Sequence, residues 1–408
     1  MAKQNKPAIR FKGFTDAWEQ RKLGEVVKEV TRNDPTSEAP IMMITANNGF
    51  IEQSERYAFD NAGESLKKYI LLQKGELAYN HGASKLRPFG SCFALTTAES
   101  ARIPFVYHCF SAENKNAEFL SIDLNGSEVE SQLRKIVSSG ARMDGLLNIS
   151  FDEYSTVTVL LPDIKEQEHI ADFFRNLDHL ITLHQRKFDK LQVLKKAMLE
   201  KMFPKNGSSV PEIRFKGFTD AWEQRKLGEV VKEVTRNDPT SEAPIMMITA
   251  NNGFIEQSER YAFDNAGESL KKYILLQKGE LAYNHGASKL RPFGSCFALT
   301  TAESARIPFV YHCFSAENKN AEFLSIDLNG SEVESQLRKI VSSGARMDGL
   351  LNISFDEYST VTVLLPDIKE QEHIADFFRN LDHLITLHQR ELEKLQNIKK
   401  SMLEKMFV

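Results

Sequence analysis

Short apolar runs fill the first 160 residues of the chain and predict a sheet-rich fold. Runs rich in apolar and β-branched residues predict strands at 39–46, 76–81, 91–97, 103–110 and 154–161. A helix is expected from about Ser127, because Asn125-Gly126 interrupts the helical spacing before it. These elements predict an α/β (α+β) domain.

A different pattern begins after Pro162. From Ile170 to Met202, apolar positions recur at alternating steps of four and three residues, as in the seam of a coiled coil. No proline or glycine lies within 165–203, which predicts a helix of about 39 residues and about 58 Å. His184 and Lys195 place polar side chains in the seam, where such residues fix the register of the pairing.

The chain contains a long internal repeat. Residues Ile9–Arg186 recur without a change as Ile213–Arg390, an offset of 204 positions. Beyond the identical block the copies differ, since Lys187-Phe188-Asp189 is replaced by Glu391-Leu392-Glu393 and Val193-Leu194 by Asn397-Ile398. A period of this length predicts two whole domains and excludes a short solenoid repeat.

The internal repeat and the coiled-coil seam together predict that the chain is divided into five parts. They are a globular domain at 1–162, a spacer helix at 163–203, a linker at 204–211, a second globular domain at 212–366 and a C-terminal spacer helix at 367–408. The two helices are expected to pair antiparallel with a globular domain at each end. The alternative is that each helix caps its own domain.

Composition limits the class of protein. The 408 residues are 41% hydrophobic and 26% charged, as in ordinary globular domains. A formal net charge of −4 lacks the excess of basic residues typical of a self-sufficient DNA-binding protein. Four widely separated cysteines predict free thiols, and the chain has neither a 20-residue apolar run nor a secretion signal. We expect a cytoplasmic protein that makes no contact with a membrane.

Motifs for catalysis are missing from the sequence. Asn33-Asp34-Pro35 lacks the second proline and the aromatic residue of an adenine methyltransferase motif, and no phosphate-binding glycine loop occurs. Asp163 is better interpreted as a helix N-cap than as part of a nuclease site. His108 and Cys109 are expected to be partly buried strand residues. We therefore predict no enzyme activity, no metal site and no cofactor.

Each repeat begins and ends with a recognisable segment. Trp18-Glu-Gln-Arg-Lys-Leu-Gly-Glu-Val26 opens it, and Leu161-Pro-Asp-Ile-Lys-Glu-Gln-Glu-His-Ile-Ala171 leads into the long helix. With the coiled-coil pattern and a final Lys-Met-Phe, this resembles the specificity subunits of type I restriction-modification systems over almost the whole chain. One departure is that members usually hold two different recognition domains, whereas here the two are the same.

The resemblance implies a division of labour among subunits. It implies that this chain binds double-stranded DNA through two target recognition domains and docks two methyltransferase subunits, which carry S-adenosylmethionine. Restriction subunits with motor and nuclease activity are further implied partners. A non-catalytic scaffold with two interaction domains, or a self-contained modifying enzyme, would also be compatible with a repeated α/β domain.

The segment from Tyr79 to Gly90 is the strongest candidate for contact with bases. Its side chains match the donor and acceptor patterns of base edges: an amide suits adenine, and a basic group suits guanine. A solvated hairpin turn is the alternative. The candidates are Asn80, Ser84, Lys85 and Arg87, with Asn284, Ser288, Lys289 and Arg291 in the second copy.

Two further loops are weaker candidates. The segment from Ser138 to Asn148 offers Arg142, repeated as Arg346, although Gly140 could equally end a helix. A third loop holds Thr45, Asn47 and Asn48, where a plain turn is the simpler interpretation. The basic pairs Lys67-Lys68 and Arg134-Lys135 are candidates for phosphate contacts or for solvated faces.

Overall fold

A computed structural model gives the fold of the chain. It describes residues 6–46, 48–57, 63–137, 145–205, 207–250, 253–260, 267–341 and 349–407. The chain divides into two compact units, and both boundaries fall inside long helices. Unit 1 comprises Met1–Gln185 with Arg390–Val408, and unit 2 comprises Arg186–Gln389.

The repeated elements of unit 1 come in the following order. They are β1 (Glu19–Lys22), β2 (Val27–Glu29), β3 (Met42–Thr45), β4 (Gly49–Glu52), α1 (Gln53–Arg56), β5 (Ile70–Gln73), β6 (Leu77–Asn80), β7 (Ser91–Ala94), β8 (Ser100–Ile103), β9 (His108–Ala112), α2 (Ala117–Leu124), α3 (Ser127–Ile136), α4 (Phe151–Tyr154) and β10 (Thr158–Leu161). The first long helix, α5 (Ile164–Lys201), begins in this unit.

Unit 2 repeats the series. Its elements are β11 (Glu223–Lys226), β12 (Val231–Glu233), β13 (Met246–Thr249), β14 (Gly253–Glu256), α6 (Gln257–Arg260), β15 (Ile274–Gln277), β16 (Leu281–Asn284), β17 (Ser295–Ala298), β18 (Ser304–Ile307), β19 (His312–Ala316), α7 (Ala321–Leu328), α8 (Ser331–Ile340), α9 (Phe355–Tyr358) and β20 (Thr362–Leu365). The second long helix is α10 (Ile368–Met406).

Antiparallel pairing organises the sheets of unit 1. The largest sheet has four strands in the order β2-β9-β6-β7, and β1 pairs with β10, β3 with β4, and β5 with β8. One apolar cluster includes Trp18, Phe110 and Phe119, and a second lies around Ile44 and Leu72. The expected mixed fold, in two copies with long helices, is confirmed.

Two of the expected strands need correction. The run 103–110 is divided, because Pro104 begins a turn in which the Tyr107 N–H donates to the Pro104 carbonyl. Proline cannot donate to a strand ladder, which explains why β8 stops at Ile103. The run 154–161 is shortened, since Tyr154 belongs to α4, whose N-cap Ser150 forms a capping box with Glu153.

The first turn of α5 is capped as expected. The Asp163 carboxylate accepts from the backbone N–H groups of Lys165 and Glu166 at 2.9 and 3.1 Å. Ile170 and Phe174 on the following turns are buried in the core of unit 1. The N-cap interpretation of Asp163 is therefore confirmed, and the cap sets where the long helix starts.

A distant helix segment completes the core of unit 1. Met406 is buried, and Phe407 packs on Phe119 and Trp18 with ring centroids 5.6 and 6.0 Å apart. The segment runs antiparallel to the start of α5, since Lys399 Nζ lies 2.5 Å from Asp178 Oδ1 while Phe407 contacts Phe174.

Unit 2 is completed in the same way by the end of α5. Phe203 packs on Phe323 and Trp222 with centroids 5.7 and 5.9 Å apart, and Lys195 Nζ donates to Asp382 Oδ1. Each long helix therefore begins on one core and ends on another. The sequence divides the chain into five parts at the ends of the long helices, and this division stays a prediction. The two compact units are defined differently, by which residues contact one another.

Several absences apply to the described ranges alone. The cysteines Cys92, Cys109, Cys296 and Cys313 are buried free thiols, as expected. No helix among the described residues is both long and apolar enough to cross a membrane. In the same ranges, no group of three or more His, Cys, Asp or Glu side chains could hold a metal ion.

One buried carboxyl group predicts a dependence of stability on pH. Asp123 lies in α2 with Oδ2 buried and unbonded, and burial raises its pKa to about 7 against the lowering effect of a hydrogen bond from the Leu160 backbone. Because the folded state then holds a proton that the unfolded state releases above about pH 4, the free energy of unfolding should fall as pH rises from about 4 to about 7. Asp327 repeats this arrangement.

We predict that Asp123→Asn with Asp327→Asn raises stability relative to wild type more at pH 8 than at pH 5. Denaturant unfolding at a series of pH values measures the difference. The exposed pair Asp152→Asn and Asp356→Asn is the matched control. An equal effect of the Asp123 and Asp327 changes at both pH values would contradict the prediction.

Candidate nucleic-acid interface

The interface is built around the end of β6, where Asn80 holds two segments together. Its Nδ2 donates to the Ile44 carbonyl at 3.1 Å, and its Oδ1 accepts from the Gly82 N–H at 2.9 Å. Asn284 makes the same two bonds in unit 2. The amide is therefore used within the fold, where it joins the end of β3 to the start of the 82–90 loop.

A tight turn displays the tip of that loop. The Ser84 N–H donates to the Arg87 carbonyl, and the Arg87 N–H donates to Ser84 Oγ, both at 3.0 Å. Lys85 and Leu86 lie between these two residues, and Leu86 is 65% exposed. The turn therefore presents an ammonium group and an apolar side chain to solvent, as it does at Lys289 and Leu290.

Arg87 does not extend from the tip with its neighbours. Its Nη1 donates to the Asn125 carbonyl at 2.8 Å, at the end of α2, and burial lowers the pKa of the guanidinium. Arg291 bonds the Asn329 carbonyl in the same way. This arginine anchors the loop to α2, and contact of Arg87 with guanine would require it to leave that carbonyl.

The second candidate loop returns beside the first. Leu147 donates its N–H to the His81 carbonyl at 2.9 Å, and His81 Nδ1 lies 2.7 Å from the Leu147 carbonyl. Gly82 and Leu146 form an isolated bridge. Arg142 and Arg346 lie outside the described residues, but the flank of their loop adjoins the 82–90 loop.

Stacked aromatic rings lie at the base of these loops. Tyr79 stacks on Tyr154 at 4.0 Å with 7° between the planes, and His81 stacks on His108 at 5.0 Å. Burial lowers the pKa of His108, which disfavours its charged form. His108 and Cys109 are β9 strand residues, as expected from the sequence. Ring stacking of this kind limits movement at the base of the loop.

Gly90 closes the loop where no side chain fits. Its φ is +80°, and an added Cβ would lie 2.5 Å from the Asn80 carbonyl oxygen and 2.8 Å from the Tyr79 ring. The Tyr79 hydroxyl donates to the Phe89 carbonyl at 2.6 Å just before it. The Gly90 backbone therefore lies close to the protein's own strand β6, where only glycine fits.

Residues of the third loop and of the first basic pair make contacts within the protein. Thr45 Oγ1 accepts from the Asn48 N–H at 3.2 Å, a turn interaction, while Asn47 lies outside the described residues. Lys67 pairs with Glu64 at 2.9 Å, and Lys68 Nζ lies 5.8 Å from the centre of the Phe105 ring.

The other basic pair is also partly engaged. Arg134 pairs with Glu130 at 3.2 Å and lies over the Phe89 ring at 5.0 Å, while Lys135 is exposed. These contacts favour solvated faces for Lys67 and Arg134. The exposed Lys85, in contrast, lies on a turn whose backbone is fixed by hydrogen bonds.

Sequence reasoning missed the apolar members of this surface. Leu86 and Phe105 are 65% and 47% exposed, although both residue types are usually buried. A signal for Leu86 was present, because it lies between Lys85 and Arg87 in a loop bounded by Gly82 and Gly90. A leucine at such a position has no helix or strand face to join.

The chain is similar in sequence to a known specificity subunit. No family model matches the chain. The type I restriction enzyme MjaVIII specificity subunit of Methanocaldococcus jannaschii is 23% identical over 308 residues, which span 70% of this chain and 67% of that protein.

One solved structure extends the likeness in fold. The S subunit of the type I restriction-modification system of M. genitalium superposes with a TM-score of 0.54 at 12% identity and covers 99% of both chains. The HsdS subunit of Thermoanaerobacter tengcongensis covers 96% of both chains at 15% identity, with a TM-score of 0.40. This chain is therefore similar to specificity subunits of type I restriction-modification systems, in sequence to the M. jannaschii protein and in fold to the M. genitalium subunit.

Proposed function

We propose that this chain binds double-stranded DNA sequence-specifically and directs partner methyltransferase subunits to a bipartite target. The observation that carries the proposal is the turn at 84–87, which is fixed by backbone bonds and displays Lys85 and Leu86 outward in both units. A fixed, exposed basic turn suits entry into a groove. The kinship with specificity subunits supplies the class of ligand.

Roles within the loop follow from its contacts. Lys85 and Lys289 contact guanine or phosphate, Leu86 and Leu290 contact thymine methyl groups, and Ser84 and Ser288 add hydroxyl contacts. Asn80, Arg87, Asn284 and Arg291 position the loop through the bonds that they already make. Arg142 and Arg346 remain proposed contacts from the adjoining loop.

Catalysis is assigned to partner subunits. Two methyltransferase subunits dock on the chain and carry S-adenosylmethionine, and restriction subunits join the same cytoplasmic complex. Exposed apolar side chains along the long helices support such docking, since Leu180 and Leu183 of α5 are 42% and 38% exposed. A scaffold without DNA binding is the second candidate, favoured by the net charge of −4.

The tip lysines provide the first test of the proposal. We predict that Lys85→Ala with Lys289→Ala weakens binding to the target duplex by about 1 to 3 kcal/mol for each lost base contact and leaves the fold intact. The control is Lys12→Ala with Lys216→Ala, an equal loss of charge in the N-terminal segment whose Phe11 packs against Phe173 of α5. Binding is measured across a salt series.

Two results would count against this assignment. If the Lys85 variant and wild type bind DNA with equal affinity and equal salt dependence, the loop is a solvated turn that does not contact DNA. Absence of salt-dependent DNA binding by the wild-type protein would favour the scaffold.

The two proposed recognition domains have the same amino-acid sequence, and this leads to a second prediction. Both units offer the same side chains, so they must prefer the same short base sequence. The antiparallel helix pairing inside each unit supports half-sites that run in opposite directions. We therefore predict an interrupted palindrome as the target.

Methylation mapping of the complex reconstituted with its methyltransferase measures this target. Deleting four residues from both long helices should change the preferred interval without changing the bases, because one turn removes about 5.4 Å. The chain alone is the control and should transfer no methyl groups. A direct repeat, or two unrelated half-sites, would contradict the symmetric model.

A further inference from the structure

We propose that a buried polar joint at the start of each long helix sets how strictly the complex measures the interval between half-sites; this rests on the proposed function. The helix joint of unit 1 comprises Arg10, Asn116, Pro162, Glu166 and Gln167. The helix joint of unit 2 comprises Arg214, Asn320, Pro366, Glu370 and Gln371.

A buried ion pair forms the first part of the joint. Glu166 is fully buried. Arg10 donates two hydrogen bonds to its carboxylate, from Nε to Oε1 at 2.8 Å and from Nη2 to Oε2 at 2.6 Å. Arg10 is itself held by a bond from Nη1 to the Asp16 carbonyl at 2.6 Å. A bidentate pair of this kind fixes direction as well as distance.

Gln167 forms the second part by reaching two other segments. Its Nε2 donates to the Pro162 carbonyl at 2.8 Å, and its Oε1 accepts from the Asn116 N–H at 3.0 Å. Pro162 follows β10, and Asn116 is the N-cap of α2. The first turn of α5 is thereby tied to the N-terminal segment, the last strand and α2 at once.

The second unit contains the same joint. Arg214 binds Glu370 through two bonds of 2.7 Å, and Gln371 donates to the Pro366 carbonyl at 2.8 Å. The Asn320 N–H donates to Gln371 Oε1 at 3.0 Å. Both long helices therefore share the ion pair and the two glutamine bonds, although Arg214 Nη1, unlike Arg10 Nη1, is buried without a hydrogen-bond partner.

The length of the helix makes a small change at the joint important. The 38 residues of α5 extend about 57 Å at about 1.5 Å per residue. A rotation of about 10° at one end would displace the other end by about 10 Å, or about three base pairs at about 3.4 Å each. Apolar packing of Ile170 and Phe174 is non-directional and resists such a rotation less than fixed hydrogen bonds do.

Glu166 and Gln167 are thus positioning residues that act through the helix. They lie in the Leu-Pro-x-x-x-Glu-Gln segment, which contributes no side chain to the 82–90 loop. Loosening the joint should therefore broaden the interval while leaving the preferred bases unchanged. A purely structural role would change stability without changing the interval.

Two variants test the proposal in the complex of the full chain with its methyltransferase. The first is Gln167→Met with Gln371→Met, which keeps the volume but removes both bonds. The second replaces the ion pair by apolar residues, Arg10→Met and Glu166→Leu with Arg214→Met and Glu370→Leu, an exchange that buried pairs often tolerate without loss of stability. The control removes an exposed pair, through Arg21→Met and Glu25→Leu with Arg225→Met and Glu229→Leu.

The readout is sequencing of methylated members from a DNA library in which the interval between half-sites is randomised. We expect wild type and control to select one interval and both joint variants to accept at least three adjacent lengths with unchanged half-sites. An interval as sharp as that of wild type in folded joint variants overturns the proposal, as does a change in the bases. Failure of the wild-type complex to methylate any library member overturns the proposed function instead.

Discussion

The ion pair between the buried Glu166 carboxylate and Arg10 is the constraint on which the placement of the first long helix depends. A charge buried on the first helical turn is tolerated only with its partner in place, so the N-terminal segment must lie against α5. That contact fixes the direction in which the helix leaves the sheets. The direction in turn decides which segments the apolar face of the helix can meet.

The sequence pattern predicted strands and helices that contain recognisable runs of apolar residues, and it missed elements made of polar residues. The strand β6 and the helices α3 and α5 were expected close to their observed positions. In contrast, β1 consists of Glu-Gln-Arg-Lys and becomes a strand because it pairs with Val159 and Leu161 of β10. Its partner lies about 140 residues away, and no local periodicity records that pairing.

The candidate interface shows the same limit at the level of side chains. Chemistry alone suggested Asn80 and Arg87 as base contacts, but their hydrogen bonds go to the carbonyls of Ile44 and Asn125, which lie 36 and 38 residues away in the sequence. Lys85 and Leu86 lack such anchors in the described bonds of the turn and point outward. Residue type thus suggested the loop as a candidate, whereas long-range geometry separates the residues that hold it from those that it displays.

Completion of unit 1 by Arg390–Phe407 has a consequence for synthesis on the ribosome. Its first part ends at Gln185, and Arg390 follows 205 positions later. At about 5 to 20 residues per second, the nascent unit waits about 10 to 40 s with Trp18 and Phe119 not yet covered by Phe407. Unit 2 is continuous in sequence and has no such delay. The first domain to emerge is therefore the last to close, and its exposed aromatic surface is a natural target for chaperones during that interval.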